Sequence, residues 1–225
     1  DLMAKEKNLV KNPSLLDALL GVYERNILGY PSTAVLPYSQ ALSRFPAHLQ
    51  QLDMESNGKS EYRVGEALDY PTGPVVFVEP GTNGQHSFYQ LLHQGTDIVP
   101  LQFVGFKQSQ RQDDIDFEGS SSQKKLGANL TAQIVAFAKG KKSDAGAKNF
   151  PGNRPSSLII GDRLEPRALG ALLAHFENKV MFQGLLWNIN SFDQEGVQLG
   201  KILANEVLSG KTADKELAAF AEIVL

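Results

Sequence analysis

The sequence predicts an α/β fold in which helices cover both faces of a mostly parallel sheet. Short apolar runs alternate with helical segments along the chain, which is the order of elements in such folds. One run, residues 74–78, is continuously apolar and rich in β-branched residues, as is typical of a strand buried on both faces of a parallel sheet. A turn rich in glycine and proline, a helix and another strand follow it, which is the βαβ arrangement.

The remaining elements follow from local patterns of apolar, polar and turn-forming residues. Strands are expected at residues 33–38, 74–78, 98–106 and 157–160. Helices are expected at residues 14–28, 39–51, 85–94, 126–139, 165–182, 194–208 and 212–223. Two polar stretches, residues 107–123 and 140–156, are expected to be surface loops.

Individual residues refine the helix predictions. The first helix is expected to begin at Pro13 and Ser14 and to present one apolar face, which comprises Leu15, Leu16, Leu19, Val22, Tyr23 and Ile27. In the second, Leu42, Phe45 and Leu49 are expected to point inward, and Pro46 is expected to break or kink the helix. Near the carboxy terminus, Ser191 or Asp193 is expected to be the N-cap of a helix.

Composition excludes several classes of protein. The chain has 225 residues, of which 42% are hydrophobic, so it can bury the core of one large domain. A net charge of -3 indicates neither a nucleic-acid groove nor a polybasic membrane patch. The absence of cysteine excludes disulfides, thiolate nucleophiles and cysteine-ligated metals. The histidines lack the i, i+4 spacing of a helical metal pair.

The chain also lacks membrane and secretion signals. No apolar run approaches the roughly 20 residues that span a bilayer, and the charged amino terminus does not resemble a signal peptide. A soluble, cytoplasmic protein is therefore expected, without a nucleic-acid or membrane partner. Because the chain begins without methionine, within what reads as a helix, it is expected to be a fragment.

Glu55 is the first candidate for chemistry. It directly precedes Ser56, Asn57 and Gly58, a run typical of a turn, so it is expected to lie where a loop begins. Loops on a rigid scaffold often carry catalytic carboxylates. A solvated turn residue is the more common outcome of this pattern, so Glu55 gains weight only from other stretches of the chain.

A second candidate region, residues 79–86, lies between a strand and a helix. Its glycines either let the backbone approach a ligand or provide the geometry of a tight turn. His86 is expected near the first turn of the helix, where the helix dipole favours a neutral imidazole. The region follows the carboxyl end of a predicted parallel strand, which is where α/β sheets bind ligands.

Lys201 is a third candidate, because it lies early in a predicted helix, where the helix dipole does not favour a cation. Contact with a ligand explains that position. The alternative is an ordinary solvated lysine.

Four stretches together resemble the carboxy-terminal half of the phosphoglucose isomerase family. They are residues 51–59, 79–96, 152–156 and 184–201, and the similarity extends from about residue 12 to residue 208. The resemblance implies a three-layer α/β/α sugar-isomerase (SIS) domain at residues 1–160. It also implies a carboxy-terminal helical segment, residues 161–225, packed on that domain.

The same resemblance implies an activity and roles for four residues. The family interconverts glucose 6-phosphate and fructose 6-phosphate through a cis-enediol, in glycolysis and gluconeogenesis, without a metal or redox cofactor. Glu55 matches the base that moves a proton between C1 and C2, and Gln51 matches a glutamine that contacts the substrate. His86 matches a histidine that helps to open the sugar ring and is donated to the neighbouring subunit of a homodimer. Lys201 matches a lysine that assists at the ring oxygen.

Other functions remain open at this point. The family's amino-terminal half, with its phosphate-binding loop, has no counterpart in this sequence, so little or no isomerase activity is expected from the chain alone. The main alternative is a non-catalytic SIS module that binds a sugar phosphate, such as a regulator. An extracellular ligand role, known in this family in animals, is neither supported nor excluded.

Overall fold

The computed structural model describes residues 2–210 and 212–225 in two units, one ending at Ser191 and one beginning at Phe192. The strands are β1 (Ser32–Pro37), β2 (Val75–Val78), β3 (Leu101–Phe106), β4 (Asp116–Phe117), β5 (Ser120–Ser121) and β6 (Ser156–Gly161). The helices are α1 (Leu2–Lys5), α2 (Pro13–Val22), α3 (Phe45–Gln50), α4 (Gly81–Gly84), α5 (Tyr89–Gln94), α6 (Ser122–Lys139), α7 (Pro166–Leu186), α8 (Gln198–Ser209) and α9 (Lys215–Val224).

Two π-helical turns extend the helices that precede them. The first π turn, Tyr23–Ile27, continues α2, and the second π turn, Gln51–Glu55, continues α3. Pro46 lies in the first turn of α3, where a proline removes no intrahelical hydrogen bond. The helix expected at residues 39–51 is instead divided just before Pro46, into a 3-10 turn (Gln40–Leu42) and α3, which confirms the expectation that Pro46 breaks or kinks it.

The first unit is built on a parallel sheet with the strand order β2-β1-β3-β6. Helices α5 and α6 pack on one face around Leu36, Tyr89, Phe103, Leu130 and Phe137. Helices α3 and α7 pack on the other face around Val35, Phe45, Val104, Leu172 and Phe176. The predicted α/β class, with helices on both faces of a parallel sheet, is confirmed.

The strand order explains one difference from the sequence prediction. The run at residues 74–78 was expected to be a fully buried strand, yet Val75 is 56% exposed while Val76 is 3% exposed. The reason is that β2 lies at the edge of the sheet and pairs only with β1. An apolar run therefore identified the strand but not its place in the sheet.

Helix α2 buries a different face from the apolar one that the sequence indicated. Leu16, Tyr23 and Ile27 are 42%, 50% and 70% exposed, so the expected apolar face does not form the core contact. Small residues face α7 instead, and Gly21 lies so close to Gln183 that a Cβ at this position has no room. Close approach of two helices requires small side chains, which outweighs the burial of leucines here.

The second unit consists of a 3-10 turn, Glu195–Val197, followed by α8 and α9. Helix α8 ends at Gly210, whose positive φ of 64° suits a left-handed C-cap. The carboxylate of Asp214 accepts a 2.9 Å hydrogen bond from the backbone N–H of Leu217 and so caps α9. None of the helices in the described ranges has the length and apolar character needed to cross a bilayer.

Candidate active site

Glu55 is the last residue of the second π turn. The helix continues through Ser56 and Asn57, so the loop begins only at Gly58, not directly after Glu55 as the turn-forming run indicated. Gln51 lies four positions earlier, about one helical turn away, and both side chains are exposed. The structure therefore brings Gln51 and Glu55 together on one accessible surface.

Glu55 lies at the amino-terminal edge of the sheet. Asp53, two positions before it, lines a small cavity together with Ser32, Pro74 and Pro100, which lie at or just before the starts of β1, β2 and β3. On its other side, the backbone carbonyl of Asn57 accepts a 3.0 Å hydrogen bond from Gly73 N–H, just before β2. Asp53 and Asn57, two positions before and after Glu55, thus both lie at this edge of the sheet.

Asn57 anchors this helical turn to α7. Its side chain is fully buried, and its Nδ2 donates to the carbonyl of Val180 at 3.1 Å. Its Oδ1 accepts from Ser191 Oγ at 2.7 Å. Ser191 is therefore not the N-cap of a helix, as its position in the sequence indicated, and Asp193 is not one either, since Gln194 precedes the 3-10 turn. A buried amide that bonds at both ends holds the backbone beside Glu55 in one conformation.

The anchoring residues Asp53 and Asn57 were not identified as functional from the sequence. They continue the buried face of α3, because Leu49, Asp53 and Asn57 recur every four residues and are 3%, 8% and 0% exposed. That spacing was present in the sequence. It was missed because polar residues in a Ser-Asn-Gly context are more often solvated.

His86 lies at the opposite edge of the sheet. Of the helix predicted at residues 85–94, only Tyr89–Gln94 is helical, as α5, while α4 (Gly81–Gly84) occupies the predicted turn before it. His86 lies exposed in the turn between α4 and α5, not in the first turn of a helix. Gly81, at the start of α4, packs on the ring of Tyr38, which follows the carboxyl end of β1, and leaves no room for a Cβ. This contact places α4 at the carboxyl edge and supports the tight-turn explanation for the glycine.

Within one chain, Glu55 and His86 are separated by the length of β2. That strand has four residues, and at about 3.3 Å per residue it spans roughly 13 Å. The backbone segments that carry Glu55 and His86 thus lie beyond opposite ends of this strand. The structure therefore does not bring these two predicted site residues together in a single chain.

Lys201 is the fourth residue of α8, in the second unit, and its side chain is exposed. The prediction that it lies early in a helix is confirmed. In the part of the chain that the structure describes, no group of histidine, aspartate and glutamate side chains has the arrangement of a metal site.

A buried polar cluster between α2 and α7 was also missed from the sequence. It shares Lys179 with the small cavity at the amino-terminal edge of the sheet. Asp17 Oδ2 contacts His175 Nε2 at 2.9 Å and accepts from Gln102 Nε2 at 2.8 Å, and its Oδ1 contacts Lys179 Nζ at 3.2 Å. Burial alone would raise the pKa of Asp17, but Lys179, His175 and Gln102 together hold the pKa well below its usual range. The carboxylate thus stays charged and joins the two helices.

Comparisons with known proteins agree with this fold. A family model described as phosphoglucose isomerase matches residues 2–223. The glucose-6-phosphate isomerase of Treponema denticola is 68% identical over 225 residues, covering 100% of this chain and 43% of that protein. The glucose-6-phosphate isomerase of Treponema pallidum (strain Nichols) is 63% identical over 223 residues, covering 99% of this chain and 42% of that protein.

Two solved structures also resemble this chain. A crystal structure of a glucose-6-phosphate isomerase from Chlamydia trachomatis superposes with a TM-score of 0.90 at 51% identity, covering 96% of this chain and 42% of that one. A hypothetical protein from Thermus thermophilus has a TM-score of 0.75 at 27% identity, covering 92% of this chain and 47% of that one. The chain thus spans less than half the length of these relatives. It belongs to the phosphoglucose isomerase family.

Proposed function

We propose that this chain is the carboxy-terminal part of a glucose-6-phosphate isomerase, which interconverts glucose 6-phosphate and fructose 6-phosphate through a cis-enediol. The observation that carries the proposal is the exposed Glu55 carboxylate on a helical turn anchored by the buried Asn57. It occurs in a chain that is 68% identical to the Treponema denticola glucose-6-phosphate isomerase.

The chemistry requires a carboxylate of this kind. Moving a proton between C1 and C2 needs a base held against the substrate, together with donors for the oxygen that gains charge. Glu55 is the base in this proposal, and Gln51, one turn earlier on the same surface, holds a substrate hydroxyl. Proton transfer of this type needs neither a metal nor a redox cofactor.

His86 and Lys201 complete the proposed site. Because Glu55 and His86 lie at opposite edges of the sheet, we propose that a homodimer pairs Glu55 of one subunit with the partner's His86, which helps to open the sugar ring. Lys201 assists at the ring oxygen. The separation of roughly 13 Å along β2 supports sharing, since a single chain does not bring both groups to one bond.

The proposal also covers the domain organisation of the chain and the cellular compartment in which the enzyme acts. Residues 1–160 form the second SIS domain of the enzyme, and residues 161–225 form a helical segment that packs on it. The enzyme acts in the cytoplasm, in glycolysis and gluconeogenesis. The amino-terminal part of the full-length enzyme supplies the groups that hold the substrate phosphate, so activity is tested on a full-length enzyme that contains this sequence.

The test replaces Glu55 by glutamine in that full-length enzyme. Glu55→Gln removes the base but keeps the size of the side chain, so turnover of fructose 6-phosphate should fall by about 10³-fold, as expected for loss of a general base. Glu66→Gln, which changes an exposed glutamate in the nearby loop, is the matched control and should keep wild-type turnover. Unchanged turnover by Glu55→Gln would contradict the assignment. Substrate binding without any turnover by the wild-type enzyme would favour a non-catalytic binding module instead.

A further inference from the structure

A small cavity lies at the base of the turn that carries Glu55. Its volume is about 20 Å³, and its lining includes Glu24 of the first π turn, Asp53 of the second π turn, and Lys179 and Gln183 of α7. One water molecule needs a cavity of about 10–15 Å³. The space therefore admits a single water or an ion of similar size, between two helical turns of a rare type that is frequent at functional sites.

Two buried acceptors in this lining have no partner in the protein. Asp53 Oδ1 and Gln183 Oε1 form no hydrogen bond with any residue in the described ranges, although the two residues are only 8% and 1% exposed. Buried acceptors are almost always satisfied, by protein or by ordered water. Two acceptors cannot satisfy each other while the carboxylate is ionised. The amide nitrogen of Gln183 lies on the other side, beside Gly21.

Lys179 decides which occupant suits the cavity. Its ammonium already contacts Asp17 Oδ1 at 3.2 Å and Gln102 Oε1 at 3.4 Å. An ammonium group has three donors, so one more is available for the cavity. A water donates two hydrogen bonds and accepts one from this ammonium, which satisfies Asp53, Gln183 and Lys179 together. A metal cation would lie against the positive charge of Lys179.

We propose that Asp53 is a positioning residue for Glu55, and that it acts through one buried water molecule shared with Gln183 and Lys179. Asp53 and Glu55 belong to the same five-residue π turn, so fixing the Asp53 side chain fixes the backbone from which Glu55 projects. Asn57 fixes the other side of Glu55 to the same helix, α7. The role of Glu55 as the base rests on the proposed function, whereas the water site does not.

The electrostatics of the site agree with this assignment. Burial raises the pKa of Asp53 to about 6, although Lys179 opposes the rise. At neutral pH the carboxylate is therefore mostly ionised and requires donors. A water in the cavity and the Lys179 ammonium can both donate to it.

The first test is a crystal structure of the full-length enzyme at neutral pH, at a resolution that shows ordered waters. We expect one water within hydrogen-bonding distance of both Asp53 Oδ1 and Gln183 Oε1. A direct bond between Asp53 and Gln183, or a cavity without density, would overturn the proposal. An anomalous peak at this position after soaking in rubidium chloride would also overturn it, by identifying a cation site.

The second test measures kcat and KM for fructose 6-phosphate in three variants. Asp53→Leu and Gln183→Leu each remove one acceptor, and each should lower kcat by about 10- to 100-fold, as expected from misplacing a catalytic group, with KM little changed. Asp53→Asn keeps the shape of the side chain and an acceptor oxygen, so it should retain most of the wild-type kcat. The double variant, Asp53→Leu with Gln183→Leu, should lose no more than either single variant, because one water serves both residues.

Several outcomes separate this proposal from others. Rates are normalised to the folded fraction measured by circular dichroism, so simple unfolding does not imitate a fall in kcat. Fully additive losses in the double variant, or wild-type kcat in both single variants, would overturn the positioning role and leave the proposed function intact. An inactive wild-type enzyme would overturn the proposed function, and the positioning role with it, while the crystallographic test of the water still stands.

Discussion

Ser191 Oγ donates a 2.7 Å hydrogen bond to Oδ1 of Asn57, and the two buried side chains are 134 residues apart in the sequence. This bond joins the end of the first unit to the helical turn that carries Glu55. The backbone at Gly184 leaves no room for a Cβ beside Ser191 Oγ, so α7 has a glycine where the bond passes. A surface residue proposed for catalysis is thus held by a contact in the interior.

Removing this hydroxyl should destabilise the protein. Ser191→Ala leaves Asn57 Oδ1 buried without its donor, which should lower the free energy of unfolding by about 1–3 kcal/mol. Urea unfolding of this chain, followed by circular dichroism, measures the change. Ser43→Ala, at an exposed position, should change stability by less than about 0.5 kcal/mol. Equal stability of the two variants would show that the bond contributes nothing.

Two inactive variants should restore activity when they are combined. If Glu55 and the partner's His86 share a site, a heterodimer of Glu55→Gln and His86→Ala subunits has one intact site and one doubly altered site. Random pairing makes half of the dimers heterodimers, so a refolded mixture should reach about a quarter of wild-type activity. The coupled isomerase assay on the full-length proteins measures it. A mixture of Glu55→Gln with Glu55→Ala is the control and should stay inactive, and a first mixture that is equally inactive would exclude sharing.

The stability of the protein should depend on pH through Asp53. Burial raises the pKa of Asp53 from 3.8 to about 6, so the folded state holds a proton that the unfolded state releases. The stabilising contribution is complete below the unfolded pKa and is lost as the pH rises through the folded pKa. Relative to Asp53→Asn, which has no charge to gain, the wild type should lose on the order of 1–3 kcal/mol between about pH 4 and about pH 7. Urea unfolding of both proteins across this range measures the difference, and parallel curves would contradict the shift.

The ionisation of Glu24 should also lower the stability of the protein as the pH rises, as that of Asp53 does. Burial raises the pKa of Glu24 from 4.5 to about 7, with Lys179 opposing the rise and Asp17 adding to it. The unfolding curves of Asp53→Asn should therefore still show a loss of stability toward neutral pH. Adding Glu24→Gln should remove that remainder.

Asp17 should have the opposite pH dependence. Its pKa is held well below 3.8, so its contribution to stability is present above the unfolded pKa and is lost as the pH falls below about 4. Asp17→Asn leaves Lys179 buried without its carboxylate, which should cost about 3–5 kcal/mol at neutral pH and less in acid. Differential scanning calorimetry of both proteins at neutral pH and at acidic pH measures this loss of stability. Asp162→Asn, which disrupts the exposed pair with Lys107, should have no measurable effect.

The elements of the fold could be predicted because their signals are local. The strand at residues 101–106 and helices α6 and α7 were recognisable from apolar runs, spacing and capping residues that lie within a few positions of each other. Glu55 became a candidate only through the resemblance of its surroundings to a known family, because a single carboxylate before a turn carries little information.

The sequence alone determined the α/β class and the positions of the four strands of the parallel sheet. Only the tertiary structure decided that β2 is an edge strand, that α2 buries its small residues, and that Glu55 and His86 lie at opposite edges. It also decided that Asp53 and Asn57 are buried. The physical reason is that periodicity records which residues of an element share a face. The partner that covers this face is selected by packing between residues far apart in the chain.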